Sequence, residues 1–342
     1  MKNKKNIDLV QKEVDFYLKN NAQQKSLWSL RLKLWINKLV DKNGKIRLDT
    51  LKNFRKYSTF LAEIPNSKKN FIYNSIYQFI RRKGHSFSAN ESLKNFENSC
   101  DYSLINKIEL SRIGNPGYFL TDEGIMFNER YLRHLRNIEN IKTHIFKKNK
   151  NVVKRVIDIG GGYSQFSEML KRKFENLIIA NVDFYEQLIL AYYYLLENFP
   201  EKKICPISKI INCEEIDEKF INSYDFLLIP VECFNKLKPN LFDLMTNFSS
   251  FGEMPRKVFF EYINNPIIKS VKYFYTVNRL DSFPTYENNI SIIDYLNDDF
   301  KMIHLGVSPI WSNYYISKLP FFKPIKKSYN SRNFELIYSN EK

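Results

Sequence analysis

The sequence predicts an α/β fold over its second half: a seven-stranded, mostly parallel sheet with helices on both faces, preceded by a mainly α-helical N-terminal region. Three observations carry this. From residue 155 to 338, apolar runs of strand length alternate with longer stretches of helical spacing, the pattern of a parallel sheet wrapped by helices. Three consecutive glycines, Gly160-Gly161-Gly162, join the first of those runs to a helix-like segment. The first third of the chain instead repeats apolar residues at helical intervals.

In that first third, Ile7, Val10, Val14, Tyr17 and Leu18 share one helical face, as do Leu27, Leu30 and Leu34, and later Leu51, Phe54 and Tyr57. Turns are expected at Asp41–Gly44 and Pro65–Lys69. Trp28 and Trp35, seven apart, read as core packing, and the basic run Arg81–His85 as a solvated helix end. Ile113-Gly114-Asn115-Pro116-Gly117 breaks the pattern, and Thr121-Asp122-Glu123-Gly124 supplies capping residues. A helix over Phe127–Lys147 follows, carrying Arg130, Arg133, His134 and Arg136. The polar run Lys147–Lys150 reads as a hinge, so residues 1–150 form a basic accessory or substrate-side region and 151–342 a second domain.

The second half reads in order. Val156–Ile159 is a strand and Gln165–Phe174 a helix; Leu177–Asp183 is a strand and Phe184–Phe199 a helix ended by Pro200. Strands follow at Tyr224–Val231 and Leu241–Asn247, then a helix from Glu253 to Tyr262 and a strand at Val271–Arg279. A helix over Ser291–Leu296 and strands at Phe300–Gly306 and Phe334–Tyr338 complete the set. In such sheets ligands bind outside the carboxyl ends of the strands. Asp158, Asp183, Glu232, Asn247, Ser249, Asn278 and Arg279 all fall at those ends.

Spacing selects the ligand class. A dinucleotide fingerprint beginning at Gly160 would need glycine where Gln165 stands, and a P-loop would need a Gly-Lys-Ser/Thr that does not follow. What remains, Asp158-x-Gly160-x-Gly162-x-Ser164, resembles motif I of class I S-adenosylmethionine-dependent methyltransferases, with Ser164 in place of a third glycine. That replacement predicts ordinary φ at Ser164. About twenty residues on, Asp183 closes the second strand, where a carboxylate can accept from both hydroxyls of a ribose. Glu186 is the alternate, and Asp183 can equally be read as the N-cap of the next helix. The cofactor set is therefore Asp158, Gly160, Gly161, Gly162, Tyr163, Asp183, Phe184 and Asn247.

The formal net charge of +16 is unevenly placed: residues 1–150 hold 30 basic and 14 acidic side chains, the rest 23 of each. A basic front half attracts phosphates, anionic lipid or nucleic acid, but no zinc finger, RNP signature or basic zipper marks a specific nucleic-acid reader. The four cysteines show no paired or metal-ligand spacing, so neither a structural zinc nor a disulfide framework is expected. No apolar run is long enough to span a bilayer and no signal peptide is visible, which predicts a cytoplasmic protein.

Three segments together resemble the sugar O-methyltransferase family: Ile157–Tyr163, Val182–Leu195 and Phe242–Met254. Tyr273–Arg279 and Ile113–Pro116 fit it as well. Phe184-Tyr185-Glu186 stands where the family has Leu-Pro-Glu. The resemblance implies S-adenosylmethionine as cofactor and a sugar or glycan hydroxyl as acceptor, in glycan or surface-polysaccharide synthesis. A sugar hydroxyl is a weak acid, so a general base is expected, with Glu253, His304 and Asp281 as candidates. Glu253 can also cap its own helix, His304 can be a satisfied core residue, and Asp281 can pair with Arg279. Asn278, Arg279 and Ser249 are the candidate acceptor contacts, and Trp311, Tyr314 and Tyr315 could stack on a sugar face. Two other readings stay open: N-methylation of an amino sugar or small amine, and a non-catalytic binder of RNA or lipid with a methyltransferase-like half. The sequence leaves oligomeric state open.

Overall fold

The computed structural model describes residues 2–20, 35–55, 91–147, 153–279, 300–310, 314–316, 325–327 and 333–340. The expected turn at Pro65–Lys69, the basic run Arg81–His85, Trp28 and the helix Ser291–Leu296 lie outside the described residues. So do Asp281, Trp311 and the side chains of Tyr314 and Tyr315.

Seven strands form the sheet: β1 Arg155–Ile159, β2 Ile178–Asp183, β3 Phe226–Pro230, β4 Leu244–Phe248, β5 Tyr273–Arg279, β6 Lys301–Val307 and β7 Asn333–Ser339. Their order across the sheet is β3-β2-β1-β4-β5-β7-β6. The first five in that order run parallel, and β7 lies antiparallel between β5 and β6. Asp158 stands level with Asn181 on β2 and with Thr246 on β4. The chain leaves β1 toward β2 on one side and reaches β4 on the other, so the carboxyl ends of β1 and β4 flank the crevice where such sheets take ligands.

The strands are apolar on both faces because both faces are covered. Val156, Ile179, Leu228, Leu244, Tyr275 and Val277 pack with the N-terminal helices and with α3 (Gln165–Lys173) and α4 (Tyr185–Asn198). Ile157, Ala180, Val182, Leu227, Met245 and Phe274 face the other way, against α6 (Arg256–Ile263).

α1 (Lys2–Asn20) buries Val10, Val14 and Tyr17 on α4. The contact is also polar. Glu13, buried, accepts from Tyr185 Oη at 3.0 Å and from the Ser208 N–H and hydroxyl at 2.8 and 2.9 Å, at the start of α5 (Ile207–Asn212). Tyr17 donates to Glu186 at 2.7 Å.

Three local expectations are corrected. The helix expected from Glu253 begins at Arg256; Phe251–Glu253 is a separate 3-10 turn. The cause is Pro255, which keeps Met254 extended (φ −82°, ψ 144°) and places itself at the N-cap. Thr121–Gly124 caps no helix; it is the turn of a small hairpin, Phe119–Leu120 with Met126–Phe127, and Asn128 caps α2 (Glu129–Ile141) through Tyr131 N. Beyond Ile141 the helix loosens into a π-turn, Lys142–Phe146.

Candidate active site

β1 ends in a turn whose backbone requires its glycines. Gly160 and Gly162 have φ of 74° and 58°, in the left-handed region. Gly161 is ordinary in φ but enclosed: a Cβ there would lie 2.5 Å from both Asp158 Oδ2 and Asn181 Oδ1. Ser164 overturns the expectation of ordinary φ, with φ of 67°. Its hydroxyl accepts from Asn181 Nδ2 at 2.6 Å, and the same amide donates to Gly162 O at 2.9 Å. Asn181 thus pins the outgoing limb of the turn, offsetting a cost of about 1 kcal/mol for a left-handed non-glycine residue.

The acid that closes β2 meets this turn directly. Asp183 Oδ2 accepts from Gly162 N–H at 2.7 Å, and Oδ1 accepts from Phe184 N–H at the same distance. Phe184, half-buried, occupies the N-cap of α4, and its side chain makes no cap bond. Glu186, the alternate acid, is held by Tyr17 of α1.

On the β4 side of the glycine turn, two asparagines brace the loop after that strand. Asn247 donates to Ile159 O at 2.8 Å and to Ser250 Oγ at 2.5 Å, and accepts from Phe251 N–H. Asn278 donates to Asn247 Oδ1 at 2.7 Å and to Thr276, and accepts from Gly252 N–H. Both side chains are almost fully buried in this lattice. Ser249 has φ of 66° and a buried hydroxyl with no hydrogen-bond partner among the described residues. Glu253 ends the 3-10 turn, half-buried, and the neighbouring Gly252 lies against Arg279. The loop after β4 and the end of β5 thus bring Ser249, Glu253, Asn278 and Arg279 to the same end of the sheet as the glycine turn.

His304 is not brought there. Because β7 inserts between β5 and β6, His304 sits on the edge strand, with β4, β5 and β7 between it and β1. Its ring stacks on His144 at 4.1 Å and lies 3.9 Å from Glu335, longer than a hydrogen bond. Glu232, past the end of β3, is exposed.

Burial dominates the electrostatics of the turn. It pushes Asp158 up to about 7, against the pull of the Thr246 hydroxyl at 2.7 Å and with a further rise from Asp183. Asp183 is pushed up to about 6 by burial, tempered by the Phe184 and Gly162 N–H groups. Asp158 Oδ2 and Asn181 Oδ1 are buried with no hydrogen-bond partner among the described residues. Between pH ~4 and ~7 the folded chain therefore holds a proton on Asp158 that the unfolded chain has released, so stability falls as pH rises through that window. We expect Asp158→Asn to remove about 2–3 kcal/mol of the loss in apoprotein stability between pH 5 and 8. Urea unfolding at the two pH values measures it; an unaltered pH slope in the variant would refute the assignment.

Sequence reasoning passed over Thr246, Ser250 and above all Asn181. A lone amide within the apolar run Leu177–Val182 was the available signal. It also passed over Arg55, whose guanidinium lies 5.3 Å from the Tyr163 ring centre. Two surface cavities, of about 220 and 500 Å3, lie along Leu110–Met126 and beside Lys171 and Phe199, and neither is lined by the glycine turn.

No family model and no curated protein matches the chain. Solved structures do resemble it. The bifunctional kinase-methyltransferase WbdD is 14% identical, over 60% of this chain and 39% of its own, with a TM-score of 0.37. The magnesium protoporphyrin IX methyltransferase ChlM from Synechocystis PCC 6803, with bound SAM, is 10% identical over 62% of this chain and 82% of its own, at 0.38. The N-methyltransferase NodS from Bradyrhizobium japonicum WM9 is 9% identical over 63% and 97%, at 0.39. The chain thus matches about two-fifths of the length of WbdD. Strand order and register, rather than these likenesses, define the fold.

Proposed function

We propose that this chain is an S-adenosylmethionine-dependent methyltransferase that methylates a sugar hydroxyl, with residues 151–342 as catalytic domain and 1–150 as a substrate-side region. The observation that carries the reading is the 2.7 Å bond between Asp183 and the Gly162 N–H. It joins a side-chain-free turn and a strand-terminal acid at the end of the sheet where nucleoside cofactors sit. The residues fit the group. Asp183 has the acceptor chemistry for a ribose diol, and a Cβ at Gly162 would meet nothing among the described residues, so the turn is open beside that acid. Asp158 Oδ2 and Asn181 Oδ1 have no hydrogen-bond partner among the described residues, and with Asp158 ionised both can accept from a cationic amino-acid moiety.

When bound, the cofactor supplies a methyl group already activated by a sulfonium. The protein's task is then alignment and proton removal. Asn247 and Asn278 hold the loop 249–253 in place; Ser249 and Arg279 orient the acceptor; Glu253 takes the hydroxyl proton as the oxygen forms its bond to carbon. Held by the glycine turn and Asp183, the cofactor would give up its methyl group and keep the bonding electrons on sulfur as a neutral thioether.

The test is to incubate purified protein with methyl-labelled cofactor and a panel of sugars, sugar phosphates and glycans, and to locate the label by mass and NMR. NMR separates O- from N-methylation. Asp183→Ala should weaken S-adenosylhomocysteine binding about 10–100-fold by calorimetry, the loss of charge-assisted bonds to the diol. Affinity equal to wild type, or no labelled product from any acceptor, would sink the reading.

A further inference from the structure

Beneath the glycine turn, two buried oxygens converge on one place. Asp158 Oδ2 and Asn181 Oδ1 each lie 2.5 Å from the point that a Cβ of Gly161 would occupy. Neither has a hydrogen-bond partner among the described residues. The amide is fixed in this sense by its other end. Asn181 Nδ2 donates to Gly162 O at 2.9 Å, a carbonyl that can only accept, so the oxygen is the atom left beside Asp158.

An ionised carboxylate is poorly matched to that setting, because two acceptors then meet with no donor between them. The strands on either side of β1 supply the groups that act on Asp158. From β4, the Thr246 hydroxyl donates to Oδ1 at 2.7 Å and leaves Oδ2 unserved. From β2 come Asn181, through its oxygen, and Asp183, through a second negative charge. Among the described residues, no cation is one of the groups that shift Asp158. Burial, with Asp183, pushes the carboxyl up to about 7 against the Thr246 bond. A proton on Oδ2 makes that atom a donor beside Asn181 Oδ1 and removes the mismatch.

A ligand that brings a cation changes the balance. At an effective dielectric of about 20, a unit positive charge about 6 Å away lowers a carboxyl's proton affinity about a hundredfold, without touching it. The amino-acid tail of S-adenosylmethionine carries such a charge on its ammonium, and the ammonium also offers the donors that both oxygens lack.

We infer that Asp158 carries a proton in the cofactor-free protein and surrenders it when the cofactor's ammonium arrives, so that cofactor uptake is coupled to proton release. This rests on the methyltransferase reading and adds a pH control to its cofactor site. The O–H bond of Asp158 breaks, the electron pair stays on the carboxylate, and the proton passes to the buffer. The ammonium keeps its own protons. Asp183, pushed up to about 6 by burial, answers to the ribose hydroxyls instead and titrates lower.

The experiment is calorimetry on the full-length protein at pH 7, in buffers of different ionisation enthalpy, which counts the protons released. Two ligands are compared: S-adenosylhomocysteine, and methylthioadenosine, which keeps the ribose and lacks the amino-acid tail. S-adenosylhomocysteine should release about half a proton per site, and methylthioadenosine about a tenth at most, from Asp183. Between pH 6 and pH 8 the affinity for S-adenosylhomocysteine should tighten at least about tenfold, and that for methylthioadenosine about twofold. Asp158→Asn keeps the shape and has no proton to release. It should bind S-adenosylhomocysteine with the shallow pH dependence of methylthioadenosine. Wild-type affinity for S-adenosylhomocysteine that is flat from pH 6 to pH 8, equal proton release with the two ligands, or undiminished release in Asp158→Asn overturns the coupling and leaves the cofactor reading standing. A wild-type protein that binds neither ligand refutes the cofactor reading, and the coupling with it.

Discussion

Glu253→Gln should lower the turnover number by about 10²–10⁴-fold, the usual worth of a positioned general base, and leave S-adenosylhomocysteine affinity unchanged. The expectation follows from where the loop is held. β4 ends at Phe248 beside the crevice, and Asn247 and Asn278 fix the next five residues by bonds to Ser250, Phe251 and Gly252. Glu253 is the first carboxylate after that strand, half-buried and next in sequence to the glycine that rests on Arg279. The competing role, capping its own helix, is not what the structure shows: α6 begins at Arg256 with Pro255 at the N-cap and no side-chain cap bond. Glutamine keeps the shape and the polar contacts and cannot take a proton. Acceptor KM should therefore change little, and the pH–rate profile should lose its acidic limb. Pre-steady-state rates with labelled cofactor measure this directly; a variant within threefold of wild type removes Glu253 as the base.

The sheet was legible because a strand buried on both faces must be apolar throughout. Phe226-Leu227-Leu228-Ile229 and Leu177–Val182 can be read from that alone. The glycine turn and Asp183 were legible because only certain residue types permit such a turn or accept from a diol. What escaped is nonlocal. Asn181 looks like one polar interruption in a strand, and its work appears only when β2 lies beside β1 and its amide reaches Gly162 and Ser164. The pairing of Asn247 with Asn278 joins neighbouring strands whose adjacency no spacing rule announces. His304 was placed by its apolar strand, but the strand's place in the sheet depends on β7, which arrives last and inserts antiparallel.

Ser164 and Ser249 share a backbone feature that residue type did not announce. Both hold φ near 66°, where a glycine would be comfortable, and they follow the carboxyl ends of β1 and β4. Strain of this kind persists only where surrounding bonds impose it, and it concentrates at ligand sites. Ser164 repays its strain through Asn181. Ser249 has a backbone bond to Val277 O at 2.9 Å and a hydroxyl with no hydrogen-bond partner among the described residues.

Arg136→Met should cost about 3–5 kcal/mol of stability at pH 7, because it strands a buried carboxylate. Glu335 lies in the middle of β7 and is fully buried. Burial alone would raise its carboxyl; His304, Arg136 and Asn140 reverse that and hold it below the ordinary glutamate range. Arg136 grips both oxygens, at 2.8 Å for the closest contact, and also donates to Ser99 O at 2.7 Å, tying helix 91–99 to the sheet. Asn140 adds a bond to Glu335 at 2.8 Å and one to Tyr275 at 2.9 Å. In the wild type the depressed Glu335 contributes stability that is present above its unfolded pKa and lost as pH falls through the folded one. Without Arg136 the sign reverses: the carboxyl is raised, and stability is lost as pH climbs above the unfolded value. The penalty should therefore grow from pH 4 to pH 7. Arg136→Met with Glu335→Gln should recover most of the loss, since the amide still accepts from Asn140 and carries no charge. Urea midpoints of the single and double variants at both pH values measure this cycle, and a single variant within about 1 kcal/mol of wild type at pH 7 would show that the pair is not what holds the N-terminal helices to this edge of the sheet.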